Sequence, residues 1–163
     1  MNLADRYRRW FEYEQHAHRL TLDALRAVPD HLRRTPQVQK AADMLSHIVG
    51  ARWFWLYRLG QTGEPVDGFF PQAGTIADLE RRLDEMHQVW RQYLAGLSDA
   101  DVLAVTEYEA TEGGRFRTSL DDVLTQLFGH SLYHRGQIAM LLRQAGAEPP
   151  ETDFIFWARE SIT

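Results

Sequence analysis

Between Leu120 and Leu141 apolar residues recur at intervals of three and four, and two histidines, His130 and His134, interrupt that stripe. Leu120, Val123, Leu124, Leu127, Ile138 and Leu141 supply the apolar positions. This is the pattern of an α-helix with one buried face. Ser119 suits the N-cap, Asp121 and Asp122 sit in the first turn, and Gly146 is placed to stop the helix, with Pro149 and Pro150 after it. A spacing of four turns the side chain by about 40° and advances it by about 6 Å. Both imidazoles can therefore reach one point in space. One such ring is ordinarily a core histidine bonded to a carbonyl or carboxylate; two on one face also fit a metal site.

Three further helical patterns precede this one. Leu3, Tyr7, Trp10, Phe11, Glu14, Ala17, Thr21, Leu25 and Val28 share one side of a helix that Pro29 ends. Ala41, Met44, Leu45, Ile48, Ala51, Trp55 and Leu59 mark a second, from about Gln37 to Leu59, with Gly60 as its stop. Ile76, Leu79, Leu83, Met86, Trp90, Tyr93 and Leu97 mark a third, with Thr75 at its N-cap.

The connection from Gln61 to Gly74 carries glycines, prolines and the apolar pair Phe69-Phe70, and is too long for an antiparallel helix hairpin. It predicts a crossover along the bundle. Val102, Val105, Thr106 and Tyr108, followed by Gly113-Gly114 and Phe116, predict a short β-hairpin before the last helix. The tail Phe154-Ile155-Phe156-Trp157 is apolar enough to pack on the bundle or a partner. The expected architecture is all-α: a four-helix bundle with a long crossover between helices 2 and 3 and a hairpin between helices 3 and 4. Residues 1–163 read as a single domain, and no repeat or linker is visible.

Composition removes several functions. There is no cysteine, which excludes thiolate ligands, disulfides and a cysteine nucleophile; a transition metal would be held by nitrogen and oxygen. The net charge of −5 comes without a basic patch, so nucleic acid is not an expected partner. No uncharged apolar run approaches the ~20 residues that span a bilayer, and no membrane partner is expected. The first residues run straight into an amphipathic pattern, so no signal peptide is expected and the cytoplasm is the expected compartment. Ser131 follows His130 where helical metalloproteases place a catalytic glutamate, and no phosphate-binding glycine loop or nucleophile elbow is present.

Two imidazoles hold a divalent ion poorly, so a third ligand is required. His47 follows Met44 by three and precedes Ala51 by four, which puts it on the inward half of the second helix. It ranks above His87 and His18; His16 reads as solvated and His31 as a loop residue. Glu14, Asp43, Glu80 and Glu85 are the candidate acceptors that would fix the histidine tautomers. Trp53, Trp55 and Tyr57 read as core. Arg135 is rotated about 100° from its histidine neighbour and reads as a surface or interface residue. Tyr133 reads as packing, Gly136 as a close helix contact, and Gln137, one turn beyond His134, could bond a ligand or a neighbouring helix.

The segments His47-Ile48-Val49-Gly50-Ala51-Arg52-Trp53 and His130-Ser131-Leu132-Tyr133-His134-Arg135-Gly136-Gln137-Ile138 resemble the second- and fourth-helix motifs of the DinB-like metalloprotein superfamily. Pro149-Pro150 followed by Asp153-Phe154-Ile155-Phe156-Trp157 resembles its usual ending. The resemblance implies a four-helix bundle, a divalent metal (zinc or nickel) held by His47, His130 and His134, and a homodimer. Some branches are transferases or isomerases that use a low-molecular-weight thiol such as bacillithiol or mycothiol. Three neutral imidazoles would leave a coordination position open for a water or a substrate thiol. Two functions follow from this pattern: a thiol S-transferase or small-molecule hydrolase, or a non-catalytic, stress-related metal-binding or dimerisation protein whose ion staples the bundle. No catalytic residue is assigned.

Overall fold

The computed structural model describes residues 1–63 and 72–162. The elements in order are α1 (Leu3–Ala27), α2 (Pro36–Arg58), α3 (Ile76–Ala95), α4 (Asp99–Leu103), β1 (Val105–Glu109), β2 (Arg115–Ser119), α5 (Leu120–Gln144) and α6 (Phe154–Ala158). The helix starts are chemically explicit. Asn2 accepts from the Asp5 amide at the start of α1, and Pro36 opens α2. Thr75 with Asp78, Ser98 with Asp101 and Ser119 with Asp122 form reciprocal capping boxes at α3, α4 and α5.

The four long helices are those expected. α4 is a correction: Val102, read as the start of a strand, lies inside this short helix and is fully buried. The Ser98-x-x-Asp101 box was the available signal. The hairpin lies between α4 and α5, pairing Tyr108 with Phe116 in antiparallel register, and Gly113 and Gly114 take the positive φ values of 96° and 94° that its turn requires. Arg58, at the end of α2, lies over the rings of Phe54, Trp55 and Tyr108 and donates to the Glu109 carbonyl at 2.9 Å. This ties the hairpin to the bundle.

Helix directions follow from the cross-links. Tyr7 bonds Asp121 and His18 bonds Ser131, so α1 and α5 run parallel. Arg8 donates to the Leu94 carbonyl and Arg19 to Glu80, so α3 opposes α1. Ala73 donates to Asp43 and Trp90 to the Arg52 carbonyl, so α2 and α3 run parallel. Parallel neighbours need a connection that travels the length of a helix. The ends of the Gln61–Gly74 connection do lie at opposite ends of α2; residues 64–71 within it, including Phe69-Phe70, lie outside the described residues.

Leu22, Leu45, Ile48, Leu56, Leu79, Leu83, Met86, Trp90, Ile138 and Leu142 are the large buried side chains at the bundle centre. α2 and α5 form the most extensive helix pair. α2 is buried nearly all round, from Met44 to Gly50 without a break. α6 packs Phe154 and Trp157 on Tyr13 of α1, with ring centroids 5.0 and 5.8 Å away, while Ile155 and Phe156 remain exposed. No helix among the described residues is long and apolar enough to cross a membrane.

Candidate metal centre

α2 and α5 face each other with His47 opposite His130 and His134. The Nε2 atoms of His47 and His130 are 3.1 Å apart, and those of His130 and His134 are 3.0 Å apart. His47 is buried, and the two α5 rings are half-buried. The rings are mutually tilted by 60°, 90° and 76°, so their edges, rather than their faces, converge.

Hydrogen counting tests whether this group suits a cation. The Nδ1 of His134 is 2.7 Å from the Gln137 side-chain oxygen. That oxygen only accepts, so the His134 proton is on Nδ1 and its Nε2 carries a bare lone pair. His130 has two Nε2 contacts and at most one hydrogen to offer there. At most one of the two contacts can therefore be a linear hydrogen bond, whereas a cation among the three rings would give each nitrogen a partner. Burial, followed by the neighbouring His134 and His47 rings and the Arg52 charge, pushes His130 down to about 4, so it is a neutral imidazole at neutral pH. A tetrahedral ion with nitrogens at about 2.0–2.1 Å sets those nitrogens about 3.3 Å apart. The His47–His130 and His130–His134 separations match that spacing to within a few tenths of an ångström.

His47, His130 and His134 form a triad whose ligand atoms lie within 4.8 Å of one another, as the sequence ranking expects. The carboxylates offered as supports are all engaged elsewhere. Glu14 pairs with Arg52, Asp43 accepts from Ala73, Glu80 pairs with Arg19 and Arg26, and Glu85 pairs with Arg81. Gln137 takes that place for His134, and its spacing of three was the signal. His18 and His87, the lower-ranked candidates, bond each other instead, 3.0 Å apart. His16 and His31 are exposed.

Three readings of single residues change. Arg135 is 2% exposed and turned into the core, so it is no surface residue. Gly136 makes no close helix contact, since a Cβ there would meet nothing within 4 Å. Tyr57 is 40% exposed, whereas Trp53 and Trp55 pack against the core. Tyr133 places its ring edge-on to His134 at 5.1 Å while remaining 65% exposed beside the triad.

A helical bundle with a converging histidine triad on its second and last long helices defines the class. The DinB family profile matches residues 2–161, and the chain belongs to the DinB family. In structure it is similar to a DinB-like protein from Bacillus cereus, with a TM-score of 0.68 at 21% identity, covering 89% of this chain and 94% of that one. That likeness speaks for the fold. No curated protein matches the chain.

Proposed function

We propose that this DinB family member is a metal-dependent enzyme. In this reading His47, His130 and His134 hold a divalent ion, zinc or nickel, and leave one position open to an exogenous small molecule. The observation that carries it is the convergence of three imidazole edges, one of them stripped of its proton by Gln137. The ion, when bound, supplies a Lewis-acid position at which a water or a thiol gives up its proton more easily. The reaction is thiol S-transfer or hydrolysis of a small molecule. The chain has no cysteine, so the thiol comes from a low-molecular-weight cosubstrate.

The protein's own part is orientation and access. Gln137 fixes the His134 tautomer, and the half-buried α5 rings leave a side open toward solvent. Work in the cytoplasm and assembly as a homodimer belong to the same reading. Exposed Leu132, Tyr133 and Met140 on α5, with Ile155 and Phe156 of the tail, supply apolar surface for the second copy.

A second reading is favoured by where the ligands sit: on the helix pair with the largest contact, an ion staples the bundle without turnover. Elemental analysis of the purified chain beside His130→Ala tests the centre common to both. About one metal per chain in the wild type and none in the variant is the expected result; metal-free wild type, or metal retained by the variant, refutes it. Turnover of a thiol or ester substrate by the metal-loaded wild type, lost in His134→Ala, then selects the enzyme reading.

A further inference from the structure

Ser131 and Arg135 follow the two α5 histidines directly in sequence but face a different direction. Both are buried, at 1% and 2% exposure, against α1. One arm of the Arg135 guanidinium donates to Ser131 Oγ at 2.8 Å, and the other donates to the Tyr13 hydroxyl at 3.0 Å. Its charge lies 5.3 Å from the Tyr13 ring centre, and it has no ion-pair partner among the described residues. Ser131 Oγ is 2.9 Å from His18 Nε2, and His18 Nδ1 is 3.0 Å from His87 Nε2. The Tyr13 hydroxyl donates to the Thr152 carbonyl.

A guanidinium can only donate. Ser131 therefore accepts from Arg135, and either its second lone pair or its own hydrogen meets His18 Nε2. In either tautomer of His18 both ring nitrogens are bonded, one to Ser131 and the other to His87. Tyr13 accepts from Arg135 in the same way and passes its hydrogen to Thr152. Arg135 heads this buried chain as a donor, and each of these contacts can be a hydrogen bond with one proton per histidine ring. Burial holds both His18 and His87 well below the ordinary histidine value, in keeping with one proton per ring.

We infer that Ser131 and Arg135 are positioning residues for the metal centre: their bonds to α1 fix the roll of α5 about its axis, and so aim His130 and His134 at His47. The inference rests on the triad being a metal site. The lever is steep. A ring nitrogen about 6 Å from the helix axis moves about 1 Å for a roll of about 10°, whereas a metal site tolerates about 0.2 Å. Apolar packing by Leu124, Leu127 and Ile138 is not directional enough to hold a roll that closely; hydrogen bonds at two points of the same face are.

The test uses the full chain, zinc competition titrations and the visible spectrum of the cobalt(II)-loaded protein. Ser131→Ala weakens zinc binding about tenfold and changes the cobalt bands, in the range seen when supports of metal ligands are removed. Tyr13→Phe, which keeps the ring, gives a smaller loss in the same direction and carries the test should Ser131→Ala not fold. Val102→Ala, a small cavity in α4 beside the first turn of α5 and well before His130, leaves affinity and spectrum unchanged and so separates aiming from general destabilisation. Wild-type affinity and spectrum in both Ser131→Ala and Tyr13→Phe overturn the inference. A wild type that takes up neither zinc nor cobalt overturns the metal reading beneath it, and this inference with it.

Discussion

Two histidine groups touch α5 on different faces, and they differ in whether every ring contact can be an ordinary hydrogen bond. In the His18–His87 pair one proton per ring satisfies the contacts between Ser131, His18 and His87 in either tautomer of His18. The rings stack nearly parallel, tilted by 8°, and are sealed in the core. In the triad a neutral His130 can make at most one of its two Nε2 contacts a linear hydrogen bond, and the rings meet edge to edge near the surface. Burial of an imidazole therefore says little about its role. What separates a core histidine from a ligand is the count of donors and acceptors around it.

The comparison can be broken most forcefully on the core side. Glu14 and Arg52 form a pair at 1% and 5% side-chain exposure, and Arg52 also lies over Phe11 and Trp90. Arg52→Ala leaves the Glu14 carboxylate buried without its cation. That is expected to cost about 3–5 kcal/mol in urea unfolding at pH 7. A loss below about 1 kcal/mol would mean that the polar core is not a cohesive unit.

A smaller effect comes from acid. Burial pushes His87 down to about 3, with the Arg52 charge adding to it. The unfolded chain binds a proton at this ring near pH 6.5, while the folded chain refuses it until far lower. Stability is thus complete above pH 6.5 and falls steadily toward pH 3. By pH 5 the loss through His87 is on the order of 2 kcal/mol. Urea midpoints measured from pH 7 to pH 5 should fall for the wild type and flatten in His87→Gln; equal slopes would disprove the neutral pair.

The mildest test sharpens the triad side. Gln137→Ala removes the acceptor that fixes the His134 tautomer. Metal affinity is expected to drop about tenfold, with stability in the absence of metal nearly unchanged. Calorimetric titration with zinc checks this, and undiminished affinity would show that the amide is incidental.

Much of this was legible in the residues. The stripe on each long helix, Thr75 and Ser119 as caps, and the inward placement of His47 all depend on local spacing, which a sequence displays directly. Arg135 shows where that reading stops. Its rotation away from His134 was correct, but a helical wheel gives direction about one axis and not what stands there. The face assigned to solvent meets Tyr13, a partner 122 residues away in the chain. The same limit hid the His18–His87 bond, whose two rings lie on separate helices. α4 was missed for a different reason. Val102 has strand propensity, and a five-residue helix depends on its capping box and burial rather than on any periodic pattern.

His47 and His130 are separated by 83 positions. An unfolded chain can present only the close-spaced α5 pair, and weakly; the complete three-nitrogen set exists only after α2 has docked on α5. On the proposed metal reading, occupancy of the site reports tertiary assembly, and a cell holding free metal near the dissociation constant would couple the survival of this polypeptide to its own mineral supply.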